Sequence, residues 1–132
     1  MSGSRVVRHA AGAWAGVEVR RYKEAAEHHR GVARHELLGE AAATMGFNVR
    51  YFEVDPGGYS SLERHEHGHA VVVLTGHGTV RLGAVTEPIG PMDFVYVAPW
   101  ETHRFNAADD GPLGFLCVVD RERDRPQIVD ES

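Results

Sequence analysis

The chain has little of what would place it quickly. It has one cysteine, Cys117, in 132 residues. No disulfide can close within it, although a bridge to another chain stays open, and a reducing compartment fits. No stretch approaches the roughly 18 consecutive apolar residues of a membrane helix, and Met1–Arg8 lacks the apolar centre of a signal peptide. A cytoplasmic protein with no membrane role is expected. Basic charge is also short: 14 Lys and Arg stand against 19 Asp and Glu, a net charge of −5. Nucleic acid needs a concentrated basic face. Here the basic residues alternate with acids, as in Arg121-Glu122-Arg123-Asp124-Arg125, which is the habit of a solvated segment. With no helix-turn-helix pattern either, nucleic acid is not an expected partner. Internal repeats and low-complexity tracts are missing too.

What is present is an ordinary globular composition, 42% hydrophobic and 25% charged, in a length that suits one domain. Before position 46 the pattern is mixed. Tyr22–Arg30 has the look of a short polar helix, in which His28 and His29 point in different directions and read as surface residues. Val32–Leu38 reads as an early strand, followed by a connection or a helical turn around Gly39 and Ala41–Ala43. From Gly46 onward short strands alternate with turns, the signature of a sandwich or small barrel. Phe47–Val54, Ala70–Leu74, Thr79–Leu82, Phe94–Val97, Arg104–Asn106 and Leu113–Val119 read as strands. Asp55-Pro56-Gly57-Gly58, Glu87–Pro91 and Asp109–Pro112 read as turns, and Gly76-His77-Gly78 as a hairpin tip with His77 exposed. The expected division is an arm and lead-in over 1–45, a barrel over 46–120 and a charged tail over 121–132.

One cluster stands out. Glu63, His65, His67 and His69 occur at every second position, and His103 follows a Pro99–Thr102 corner. Residues two apart on a strand share a face, and imidazole and carboxylate are good ligands for first-row divalent ions. A metal site is the chemistry this spacing serves. Glu66 and His67 are the candidates for proton transfer. Cys117 sits in an apolar strand and reads as a small core residue unless its face is the interior. Phe47, Tyr51, Phe94, Tyr96, Phe105 and Phe115 divide between core and lining; Tyr51, Cys117 and Phe105 are the cavity candidates. Trp100 stands at a rim.

These residues resemble the cupin superfamily, whose first motif is G-x5-H-x-H-x3,4-E-x6-G. It maps without gaps onto Gly57, Glu63, His65, His69 and Gly76, with Glu in the first His position and His in the Glu position. The second motif, G-x5-P-x-G-x2-H-x3-N, is looser. Met92 takes its first Gly, Ala98 its Pro with Pro99 alongside, and Trp100 its second Gly. His103 falls in place, and Asn106 lies one residue early. The likeness spans Asn48 to Val119. It implies an all-β fold, a single cupin-type β-barrel (jelly roll) with an N-terminal arm, pairing as a homodimer. It also implies one divalent transition metal ion, with Zn, Mn, Fe, Co, Ni and Cu all admissible. Two ligand sets stay open: Glu63, His65, His69 and His103, or His65, His67, His69 and His103.

The resemblance implies a metal-dependent enzyme acting on a small organic substrate, such as a dioxygenase, the metal acting as Lewis acid or oxygen activator. Two alternatives accompany it. Arg50–Glu53, Gly57–His67 and Gly114–Cys117 are similar to the zinc-binding cupin portion of hydrazine synthetases, which form N–N bonds with a synthetase-like partner. The other is a non-catalytic cupin that binds a small ligand.

Overall fold

β-Branched runs bounded by glycine and proline become strands, because branched side chains pack well on a pleated surface. The computed structural model describes residues 4–21, 28–39 and 45–129. Among them are thirteen strands: β1 (His9–Ala10), β2 (Ala13–Trp14), β3 (Val19–Arg21), β4 (Arg30–Leu38), β5 (Phe47–Tyr59), β6 (Glu63–Arg64), β7 (His69–Thr75), β8 (Gly78–Leu82), β9 (Val85–Ile89), β10 (Phe94–Val97), β11 (His103–Ala107), β12 (Leu113–Asp120) and β13 (Gln127–Ile128). Among the described residues no helix is long and apolar enough to cross a membrane. The expected helix over Tyr22–Arg30 and the connection over Ala41–Ala43 lie largely outside the described residues. His29 makes a bridge, and Arg30 already opens β4.

Eleven strands form one curled, antiparallel sheet, and β1 pairs with β2 separately. One wall runs β3-β4-β5-β12-β7-β10, and the other carries β9, β8, β11, β6 and β13. β5 joins them. It pairs with β4 and β12 for most of its length, then reaches β11 through Tyr59 and Asn106. The sheet curls without closing, with β3, β9, β10 and β13 at its edges among the described residues, and the curl leaves an interior between the two walls. Val54, Val71, Val73, Val80, Val97, Leu113, Phe105 and Phe115, all buried, form its hydrophobic core.

Three local expectations are corrected. Asp55-Pro56-Gly57-Gly58 is no turn, since β5 runs straight through it. The register jumps from Val32↔Val54 to Arg30↔Tyr59, so the extra residues form a bulge, with Gly57 at φ 72°. Gly76-His77-Gly78 is no hairpin tip. β7 pairs with β10 and β12 whereas β8 pairs with β9 and β11, so this segment carries the chain from one wall to the other. His77 is exposed, as expected. Glu87–Ile89 belongs to β9, and the turn there begins only at Gly90. The β8–β9 hairpin turns instead at Gly83-Ala84, where Leu82 faces Val85.

The inner face of the first wall follows from the register. Arg50, Phe52 and Val54 of β5 lie across from Cys117, Phe115 and Leu113 of β12. Tyr51, expected at the cavity, therefore faces away. It sits with Trp14 and His35, ring centroids 4.8 and 5.4 Å distant, where the N-terminal arm covers the outer face. Phe94 and Tyr96 also point outward and are 62% and 60% exposed.

Candidate metal centre

His65, His69 and His103 come from distant stretches, and the barrel brings them together. β6 ends at Arg64, a four-residue bend carries His65 to Gly68, and β7 starts at His69. His103 opens β11 and pairs with both Glu63 and Leu82. One nitrogen of each imidazole lies within 4.8 Å of the others. Nitrogens bound at about 2.1 Å to one ion stand about 3–4 Å apart, so small side-chain rotations suffice.

The hydrogen bonds fix which nitrogen faces the shared space. His65 Nδ1–H donates to the His67 carbonyl at 2.6 Å, and His103 Nδ1–H donates to the Glu101 carbonyl at 2.9 Å. A carbonyl only accepts, so both rings present Nε2 as a lone pair. His69 Nδ1 meets Cys117 Sγ at 3.0 Å, and its Nε2 lies 2.9 Å from His65 Nε2. Two imidazole nitrogens that close need either a proton or a shared cation between them. Burial also keeps the rings neutral. It is the largest influence on all three, lowering His65 to about 4, His69 to about 2 and His103 below its ordinary value. Three neutral, oriented imidazoles, His65 and His103 buried and His69 half-buried, fit a first-row divalent ion.

Around the trio the other candidates separate. Glu63 Oε1 is 3.9 Å from His65 Nε2, and burial raises its carboxyl to about 7, with Arg50 partly opposing. His67 stacks on His65 at 3.7 Å between centroids and lines the cavity. Glu66 is exposed and is not among the cavity-lining residues. Cys117 and Phe105 do line it. Cys117 is fully buried behind His69, burial pushes its thiol up, and Arg50 Nη2 donates to Sγ at 3.6 Å. His29, expected on the surface, is part of the cavity wall. The cavity measures about 370 Å³, within the range of small-molecule sites. Trp100, in the motif's Gly position, adopts φ 65°, and its N–H donates to the His65 carbonyl at 2.7 Å. The left-handed backbone explains why glycine suits that position.

Two residues of the charged tail belong here unannounced. Asp124 accepts from the Glu66 N–H at 2.8 Å, the His67 N–H at 3.0 Å and His67 Nδ1 at 2.7 Å. The Glu66 bond, ahead of the others, holds its carboxyl well below the usual range. Arg123 lines the cavity beside it. A charge-alternating tail has no periodicity to announce such contacts. Because Asp124 ties down the bend between His65 and His69, Asp124→Ala is expected to weaken divalent-metal affinity about 10-fold. Competition titration against a chromogenic chelator measures this, and unchanged affinity would make the clamp irrelevant to the site.

A Cupin domain family model matches residues 50–119. The 1-methylthio-D-xylulose 5-phosphate methylsulfurylase of Rhodospirillum rubrum is 42% identical over 120 residues, 90% of this chain and 76% of that one. The crystal structure of a cupin 2 conserved barrel domain protein from Rhodopseudomonas palustris superposes with a TM-score of 0.88 at 42% identity, covering 97% of this chain and 88% of that one. A cupin-2 domain protein of R. rubrum gives a TM-score of 0.86 at 39% identity, covering 96% and 84%. Barrel, motif and relatives agree: this chain belongs to the cupin superfamily.

Proposed function

We propose that this protein is a metal-dependent cupin enzyme acting on a phosphorylated, methylthio-substituted pentulose, the kind of compound named for its R. rubrum relative. The observation that carries the proposal is the convergence of three oriented imidazoles on one space at the wall of a cavity that His69 and His103 line. His65, His69 and His103 hold one divalent ion. Glu63 completes the set, because its carboxylate lies 3.9 Å from His65 Nε2, the nitrogen that faces the shared space. A divalent ion bound there supplies Lewis acidity toward a ketone oxygen.

The chain's own residues do the rest. His67 Nδ1 is held by Asp124 at 2.7 Å, which leaves Nε2 as the nitrogen that exchanges a proton. An imidazole braced by a carboxylate suits general acid–base work at a carbon beside a carbonyl. Cys117 supports His69 from behind and fixes its ring. Val54, Phe105 and Phe115 line the cavity and keep water from the reacting carbon.

The test is an anaerobic assay of the metal-loaded protein with 1-methylthio-D-xylulose 5-phosphate and a small thiol, following loss of the methylthio group from the sugar by NMR. Metal-dependent turnover is expected, with His67→Gln about 100-fold slower at full metal content. No reaction by the loaded protein, or oxygen uptake coupled to substrate in an aerobic control, would defeat the proposal. An unchanged pH profile in His67→Gln would remove that residue from the chemistry.

A further inference from the structure

The cavity that His69 and His103 line also gathers guanidinium groups. Arg50 is 7% exposed, lies 5.1 Å from the Phe52 ring centroid and donates through Nη2 to Cys117. Its buried Nε–H has no hydrogen-bond partner among the described residues. Arg34 and Arg123 line the same cavity. The register sets Arg34 across from Phe52 and Glu36 across from Arg50, so both arginines lie on the inner face as diagonal neighbours. The tail delivers Arg123, whose guanidinium is held by the Asp120 carbonyl at 2.9 Å. The charges feel one another, for Arg123 holds its proton less tightly than usual, first through burial and then through repulsion from Arg50.

Glu36 Oε1 lies 4.0 Å from Arg34 Nε and answers one of these charges. Glu63 also lines the cavity and acts on Arg50, but in this reading its carboxylate is committed to the metal, so the three guanidiniums keep an excess of positive charge. A buried guanidinium is costly unless paired and fully hydrogen-bonded; Arg50 is buried and Arg34 and Arg123 are half-buried, so three around one cavity call for an anion to hold. Ser60 also lines the cavity, and its hydroxyl accepts the Phe105 N–H at 2.9 Å, leaving its own proton to donate.

We propose that Arg34, Arg50 and Arg123 form an anion subsite that holds the phosphate of a phosphorylated substrate while the rest of the molecule faces the imidazoles. Forked guanidinium donors match phosphate oxygens, and a dianion balances the wall better than one carboxylate. The assignment rests on reading the cavity as the substrate site. It gives charge a purpose in a chain that is acidic overall.

Calorimetric titration of the full-length protein with D-xylulose 5-phosphate, D-xylulose and succinate tests this, with metal content measured on every sample. The phosphorylated sugar is expected to bind far more tightly than the sugar alone. Arg34→Met, Arg50→Met and Arg123→Met should each weaken it about 10- to 100-fold, with metal content and the weak binding of D-xylulose unchanged. Wild-type affinity in Arg34→Met and Arg123→Met would overturn the subsite, and those two decide the matter if Arg50→Met does not fold. Succinate binding as tightly as the sugar phosphate would overturn the phosphate assignment. Intact phosphate discrimination in a wild-type protein that takes up no metal would support the subsite and defeat only the metal-dependent reading.

Discussion

His103→Ala is expected to lower divalent-metal affinity by at least about 100-fold, more than the loss of a supporting hydrogen bond causes elsewhere. Turnover should fall about a thousandfold, since Lewis-acid stabilisation is worth several kcal/mol and about 4 kcal/mol corresponds to that factor. The prediction rests on position. His103 is buried, its Nδ1 proton is committed to the Glu101 carbonyl, and its other nitrogen shares a space with two imidazoles roughly forty residues away in sequence. Stability should change less than activity. The strand-to-strand bonds of β11 do not use the imidazole, and the one group left without its partner, the Glu101 carbonyl, belongs to an exposed residue. Chelator competition, thermal melting and the methylthio assay separate these effects. A variant that keeps its metal but loses turnover would place His103 outside the ligand set.

Gly76→Ala is the largest change expected in the fold itself. The residue sits at φ 78°, and an added Cβ would run into the Pro112 carbonyl oxygen, with Leu113 Cα at 3.1 Å. Both obstacles are backbone, so neither can swing away. Left-handed backbone costs an L-residue about 1–2 kcal/mol, and forced backbone shifts cost about 1–3 kcal/mol more. The gain from a stiffer unfolded chain, about 0.4–1 kcal/mol, is smaller. A net loss of about 3 kcal/mol should lower the melting temperature by about 10–15 °C. Gly111→Ala is the control, because a Cβ there meets nothing within 4 Å. It should melt within about 2 °C of wild type, as surface substitutions usually do. Equal melting of the two variants would mean that the crossing between walls is not as tight as described.

The same crossing shows where local sequence reading ends. Gly76-His77-Gly78 has hairpin chemistry, yet which strands pair is decided by partners far along the chain. Asp55-Pro56-Gly57-Gly58 likewise reads equally well as a turn or as a bulge, and only the length of β4 alongside settles it. Strands β7, β10 and β12 were legible because apolar runs between glycine and proline leave few alternatives. His65, His69 and His103 were legible too, because strand spacing and family motif point to the same residues.

Face assignment failed at β5. Tyr51 is expected at the cavity, and nothing local assigns a face to Arg50. The barrel puts Arg50 on the cavity and Tyr51 outside, where the arm around Trp14 gives the outer face its own cover. Asp124 and Arg123 were hidden for a different reason. Their place depends on β13 returning to pair with β6, a contact set by two residues at each end.

Elemental analysis by mass spectrometry, on protein purified without added metal and dialysed against metal-free buffer, tests the central claim most directly. About one divalent transition-metal ion per chain is expected, falling to background in the His65→Ala/His103→Ala double variant. A folded wild-type protein with no such ion, or a double variant that retains it, would contradict the account.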